Sequence, residues 1–582
     1  MLLIPRLRHI LLALSLLLGA ASSQEANDWD IVVVGSEPEA IAAAVSAAEE
    51  GASTLLITGH DRLGGLFVLG ELNVLDLRTQ PVNLQKGLFE RWWNLVGRGH
   101  SFDVRRAQRA FERLLDEAGV TVRTGADEMV PVMEGRQVVG VRSGDDVFHA
   151  GQVIDGTADM DFGALAGAGY TVGFESLGLK ARMVDTLVFR IDGVDWQALR
   201  RGVRERGRDY AIQDEWVAWG HFGGYPAAYR AQEDGIRLRG LNLGLQEDGS
   251  VLVNALLIHD IDPFDSASIA EGRARAEREA PRVVAYLAEE LPGFANATYS
   301  GAAQTLYIRE SRHLQAQCTL TVDDVMDNRV TPLDIAAGGY PLDVQILTRS
   351  DTGFVFGAPE IYGVQLCVAV PQDVSGLWVV GKAAGYDPIA ASSARVVPFG
   401  MNVAEAVGVA AARAVRAGAE PAQFAADEAQ IAGLRERLLE RGAYLPPVAA
   451  REPVGPSDHP HYGAYRLMLS RGLALGGYSN DPRLHQETTA LSFVYLLSNV
   501  LERFFGLDGA GTQLVALVGT PEGPLTPENA NHSSRAAACL LNACESGDIA
   551  VEELVGAAPG DTLSRGAAYE VAAALIEALR EE

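Results

Sequence analysis

The sequence predicts an α/β protein with a parallel βαβ unit near its N-terminus, an α+β segment inserted before that unit's sheet is complete, and an all-α module at its end. Three observations predict it. DIVVVGSEPEAIAAAVSAAEEGASTLLIT, residues 30–58, reads as a buried strand, a tight turn, a small-residue helix and a second strand. GLWVVGKAAG, with the Ala- and Val-rich run VPFGMNVAEAVGVAAARAV after it, supplies a late strand and helix of the same kind. The polar, Pro-bearing stretch AYLPPVAAREPVGPSDHP, 443–460, then sets apart a group of helical segments. At 582 residues the chain exceeds one ordinary core, so several domains are expected.

Residues 1–23 hold Arg6, Arg8 and His9, an apolar run from Ile10 to Leu18 broken only by Ser15, and then small residues. This is the grammar of a secretory signal peptide. The run is too short to span a bilayer comfortably, so the mature chain is expected to have no transmembrane span and to be exported, to the periplasm or the cell surface.

Further along, HDRLGGLFVLG exposes backbone at Gly64 and Gly65, and a helix is expected from Asp103 to Ala118. RQVVGVRSGDDVFHAGQVIDGTAD reads as a β-meander whose last strand ends at Asp155-Gly156-Thr157. Mixed strand and helix follow, including a helical run from Ala267 to Glu290.

Composition removes some function classes. The net charge of −28, from 76 acids against 48 bases, leaves no track to neutralise phosphates, so no nucleic-acid partner is expected. Cys318, Cys367, Cys539 and Cys544 are too few and too scattered for a disulfide scaffold, and buried thiols are the expectation. None has metal-ligand spacing, the 11 histidines form no HExxH-type cluster, and no metal site is expected.

The turn GSEPEA bears on dinucleotide binding, where a first glycine bends the chain, a second admits the pyrophosphate and a third allows close helix packing. Gly35 and Ala40 keep the outer roles. Glu37 sets a carboxylate where a phosphate would sit, a cost that falls if the side chain turns outward.

These blocks, together with IRESRHLQAQCTLTVDDV (308–325) and AAGGYPLDVQ (336–345), resemble in order the FAD-dependent oxidoreductase family with the glutathione-reductase-type Rossmann fold, over about residues 27–420. More narrowly they resemble the group with GGTPAG, RESRR-like and GGYP blocks. The resemblance implies a Rossmann-type FAD-binding domain (27–177 and 371–420) with an inserted α+β substrate domain (178–370), then a linker (421–456). It implies FAD as cofactor, with Gly35, Ser36, Glu37, Pro38, Thr58, Gly64, Gly65, Gly156, Thr157, Gly381, Met401 and Val403 as its neighbours. The helix beginning near Met401 should aim its N-terminus at the flavin. Thr58 stands where an acidic residue would hold the ribose, and Gln345 where the group often has a histidine.

Hydride exchange with a small organic substrate needs an anion holder and an acid–base group. The resemblance places Arg309, Arg312, His313 and Arg395 near the pocket, with His313 the acid–base candidate by its titration range. Tyr340, Tyr362 and Tyr386 are hydroxyl candidates. Structural ion pairing for each arginine and packing for each tyrosine stay open as alternatives. Segments 461–502 and 531–581, within a module spanning 457–582, resemble two S-layer homology repeats, with Arg565 matching the arginine of their TRAE block. The partner so implied is a cell-wall polysaccharide, and a plain helical cap is the alternative. Glu37, Thr58 and Gln345 also leave open a flavin-free surface protein on a degenerate flavoprotein fold.

Overall fold

The computed structural model describes residues 28–349 and 353–581. The signal-like segment 1–23 lies outside the described residues. Strand β1 (Asp28–Val34) leads through the Gly35 turn to helix α1 (Pro38–Glu49) and strand β2 (Thr54–Ile57). A short helix α2 (Gly65–Val68), helix α3 (Val104–Ala118) and strands β3 (Thr121–Arg123), β4 (Met129–Glu134), β5 (Gln137–Ser143) and β6 (Asp146–Asp155) follow. The sheet runs β3-β2-β1-β6-β5-β4, parallel from β3 to β6 and antiparallel through the β4–β6 meander.

The second sheet is antiparallel. It is built from β7 (Asp185–Asp192), β8 (Ile212–Gln213), β9 (Val217–Gly220), β10 (Ile236–Leu245), β11 (Val251–Ile258) and β12 (Thr298–Ala302), in the order β8-β9-β10-β11-β7-β12. Helix α4 (Ser266–Glu290), started by the Asp265 side chain accepting from the Ala267 amide, lies against it. The chain then returns to the first sheet through β13 (Leu377–Val379), parallel to β6. Helices α5 (Pro388–Ala394) and α6 (Val397–Ala417) follow. Helix α6 crosses α1 so closely that a Cβ at Gly408 would overlap the Ala43 backbone. The run of small residues on both helices permits that approach.

Three sequence expectations change. Helix α6 starts at Val397, not near Met401, because Pro398 suits a first turn that needs no N–H from it. The span 421–456, expected as a linker, opens with two helices, α7 (Pro421–Ala426) and α8 (Glu428–Glu440). Ile431, Leu434 and Leu438 bury one face of α8. The cysteines are not free thiols: Cys318 pairs with Cys367 and Cys539 with Cys544. Folding, not spacing, brings the first pair together across 49 residues.

The C-terminal module holds α9 (Ala490–Phe505), α10 (Pro527–Cys539) and α11 (Arg565–Arg580), capped by Thr489, Thr526 and Ser564. The residues just before those caps close a ring of backbone hydrogen bonds. Leu525 donates to Thr488, Leu563 to Leu525 and Thr488 to Leu563, at 2.9, 2.7 and 3.2 Å. The module therefore has three equivalent helix starts where the sequence paired two segments, since Thr526-Pro527 falls outside both. Arg466 ties the module to the rest of the chain through Asp323 and Asp327, each at 2.7 Å.

Candidate functional site

The turns at the C-terminal ends of β1, β2, β6 and β13 meet at one edge of the sheet, where open α/β sheets bind ligands. At Gly35 φ is +126°, and a Cβ there would overlap the Gly156 carbonyl, so the two turns touch backbone to backbone. The Ser36 carbonyl accepts from the Gly64 amide at 2.8 Å, which fixes the glycine loop against the first turn. Asp155, fully buried, accepts from the Thr157 amide and hydroxyl at 2.8 and 2.6 Å and from the Gly163 amide at 2.6 Å. Burial still lifts its pKa to about 6. Thr58 is buried, and its hydroxyl accepts from the His60 amide at 3.2 Å.

Glu37 and Pro38 open α1, and the Glu37 carboxylate folds back onto the glycine loop. Its Oε2 accepts from the Leu66 amide at 2.8 Å, and a Cβ at Gly65 would overlap it. Burial raises its pKa, and Asp159 adds to this, while the Leu66 amide and Lys382 oppose. Glu39, also buried, is pushed up to about 8 by burial and then by the charge of Glu37. Gly381 lies within 4.0 Å of Glu39, by the position a Cβ would take. A Cβ at Gly400 would overlap the Glu39 carboxylate, so the first turn of α6 sits directly on it. Lys382 pairs with Asp159 at 2.6 Å and also bonds the Ala158 carbonyl. Met401 and Val403 are buried in the α6 packing beyond that first turn.

A second group lies between the second sheet and the end of α5. Arg395, the C-cap of α5, donates from Nη1 to the Tyr307 hydroxyl at 2.7 Å. Arg309 stacks on the Tyr307 ring at 4.3 Å and donates to the Val184 carbonyl and the Thr186 hydroxyl at 2.8 and 2.6 Å. Arg239 donates to Gln345 Oε1 at 2.8 Å, and Gln345 in turn donates to Asp343 at 2.7 Å. Burial lowers the Arg309 pKa to about 9, with Arg239 and Arg395 adding repulsion. Burial would raise Tyr307, but Arg395, Arg309 and Arg239 together outweigh it and hold the phenol below its ordinary value.

The four predicted catalytic residues divide. Arg309 and Arg395 come together at Tyr307. His313 pairs instead with Glu310, Nε2 to Oε1 at 3.0 Å, deep in the core, and its Nδ1 is buried without a partner. Arg312 is held by the Asp159 carbonyl and Asp161, each at 2.7 Å, and stacks on Phe264. Tyr362 bonds Ser393 at 2.7 Å, and Tyr362 and Tyr386 both pack on Phe399. Sequence reasoning missed Tyr307 and Arg239. Arg239 sits where the β10–β11 register shifts between Leu238 and Asn242, a bulge that re-aims side chains.

Among the described residues no group of three or more His, Cys, Asp or Glu is placed to hold a metal ion, and no helix is long and apolar enough to cross a membrane.

The family profile described as FAD dependent oxidoreductase matches residues 30–438. No curated protein matches the chain. Solved structures similar to it include a geranylgeranyl bacteriochlorophyll reductase-like protein from Thermoplasma acidophilum, at 14% identity over 72% of this chain and 84% of that one, TM-score 0.35. The myxobacterial chondrochloren halogenase is at 14% identity over 71% and 78%, TM-score 0.34. L-proline dehydrogenase from P. horikoshii is at 11% over 67% and 94%, TM-score 0.33.

Proposed function

The chain belongs to the FAD dependent oxidoreductase family, and from that premise we propose that it is an exported enzyme moving hydride between a small organic substrate and FAD. The observation that carries the proposal is the meeting of the Gly35, Gly64–Gly65 and Gly156 turns with the first turn of α6 at one sheet edge.

The residues there fit FAD. The glycines present bare backbone, and burial drives the Glu37 and Glu39 carboxyls toward their neutral form. A neutral carboxyl carries a donor hydrogen and offers a phosphate oxygen a bond instead of a repulsion. The α6 N-terminus supplies a partial positive charge. FAD, when bound, takes up or gives back two electrons as hydride. The Arg239, Arg309, Arg395 and Tyr307 group orients the substrate and handles its proton. The Gly35 turn, the Gly64–Gly65 loop and the Asp155-Gly156-Thr157 strand end support the glutathione-reductase-type grouping, and the blocks 308–325 and 336–345 support the narrower group with RESRR-like and GGYP blocks.

Two features support export. The signal-like grammar of residues 1–23 is one. The Cys318–Cys367 and Cys539–Cys544 disulfides are the other, since such bonds persist outside the reducing cytosol. The C-terminal module supports anchoring to an acidic wall polysaccharide. A cavity of about 300 Å³ beside the starts of α9 and α11 is lined by Arg565, Arg503, Tyr495, Asn499, Thr488 and Tyr569. Arginine there offers a planar donor set to a carboxylate.

One observation favours a flavin-free surface protein instead: Glu37 already occupies the Leu66 amide. Anaerobic bleaching of bound flavin by small hydroxy or amino acids separates the readings. Bleaching supports the enzyme, and protein that never loads flavin supports the rival. Sedimentation of the full chain with purified sacculi, weakened by Arg565→Ala, tests the anchor.

A further inference from the structure

We propose that Arg239, Arg309 and Arg395 form the binding site for the carboxylate of a small organic acid, and that Tyr307, held among them, is the acid–base residue for its oxidation. The proposal rests on the oxidoreductase reading and names the substrate class of that site.

The charge arrangement is the first ground. In a chain of net charge −28, three guanidiniums converge closely enough to perturb one another. Among the described residues none of the three forms an ion pair within 4.0 Å. The carboxylates nearby are committed or single. Asp185 is paired with Arg182, and Asp343 acts on both Arg239 and Arg395 while accepting from Gln345. Burying three like charges with no carboxylate in direct contact is costly, and a site that keeps them is matched to an anion from outside.

Donor geometry is the second ground. The Nε atoms of Arg239 and Arg395 are buried without a hydrogen-bond partner, whereas Arg309 is fixed by Val184 and Thr186. Guanidinium forks match the two oxygens of a carboxylate. An inorganic anion would satisfy the charge but offers no C–H bond to oxidise.

Tyr307 completes the reaction. Its hydroxyl oxygen accepts from Arg395 and its ring lies under Arg309, and the positive charge of both favours its ionised form. In the oxidation of such an acid the C–H bond on the hydroxyl-bearing carbon would break, its electron pair going to the two-electron acceptor that FAD would supply, while the hydroxyl proton passes to the Tyr307 oxygen and a C=O bond forms. The anion becomes a keto acid, and the phenol returns that proton to solvent.

The test uses the full FAD-loaded chain with benzoate, acetate and inorganic phosphate as probes. Calorimetry reads anion binding, and visible absorbance separately reads flavin loading, so failure of the anion site and failure of the flavoenzyme reading are distinguishable. Benzoate should bind, and Arg239→Gln and Arg395→Gln should each weaken it by about tenfold or more. Arg239→Lys should retain part of the affinity if geometry as well as charge matters, and covers the case in which a glutamine variant fails to fold. Tyr307→Phe should not weaken benzoate binding by more than about threefold, because the guanidiniums that hold the carboxylate remain. It should remove the earliest tyrosinate transition from ultraviolet difference spectra recorded as pH rises, and one limb of the pH profile of kcat. Benzoate that fails to bind loaded protein, or binds equally well to both glutamine variants, overturns the proposal. So does phosphate that binds tighter than either carboxylate.

Discussion

The Glu37 carboxylate accepts a 2.8 Å hydrogen bond from the Leu66 amide, across the glycine loop that faces the first βα turn. The side chain that departs from the dinucleotide fingerprint thus bonds the backbone donor that the loop exposes. Burial favours its neutral form, so its competition with a phosphate depends on pH.

Where Glu37 is ionised, Glu37→Gly should tighten FAD binding by about 0.5 to 2 kcal/mol, through lost repulsion and a freed Leu66 amide. The gain should grow with rising pH, as the native carboxyl becomes charged. Fluorescence titration of FAD against both proteins at several pH values measures it, and a gain independent of pH would mean that Glu37 acts sterically.

Glu39 gives a stability test. Its folded pKa of about 8 stands above the ordinary 4.5, so the folded chain holds the proton more tightly than the unfolded one. The contribution is fully present below about pH 4.5 and is lost as pH rises through about 8. Flavin-free protein should lose on the order of 5 kcal/mol across that window, and Glu39→Gln should flatten the loss. Chemical denaturation at stepped pH reads it.

Arg441 joins α8 to α6 and α1, with Nε 2.9 Å from Glu405 and Nη2 2.7 Å from Glu49. Glu405 is only 2% exposed and also accepts from the Leu88 amide at 2.7 Å. Arg441→Ala leaves that carboxylate buried and unpaired, and should cost about 3 to 5 kcal/mol. The double variant with Glu405→Gln should recover part of it. Full additivity in the cycle would show that the pair is not coupled.

The Cys318–Cys367 bond closes a loop of 49 residues. Cys367→Ser should destabilise the chain by about 2 to 4 kcal/mol, and reductant should lower the Tm of the native protein by more than that of the variant, which keeps Cys539–Cys544. Equal sensitivity of both would place the effect elsewhere.

Much of the fold is legible in the sequence because it is local. Ile31–Val34 announce a strand buried on both faces, and Asp103 caps the helix Val104–Ala118 where the sequence places its start. The start of α6 was missed by four residues because MNVAEAV looks helical from Met401, while Val397-Pro398 is helical only by its place at the first turn. The candidate site is less legible. Tyr307, Arg239 and Arg395 lie far apart in sequence and are joined by a β-bulge, a bridge from Thr186 to Tyr307 and the end of α5. No spacing encodes that meeting, and the same is true of Cys318 and Cys367.

The most direct measurement is the visible spectrum of the purified full chain after incubation with excess FAD and removal of free flavin. Isoalloxazine bands at close to one flavin per chain, bleached anaerobically by a small organic acid, are the predicted result. Protein that emerges without flavin absorbance, at low as well as neutral pH, would contradict the account.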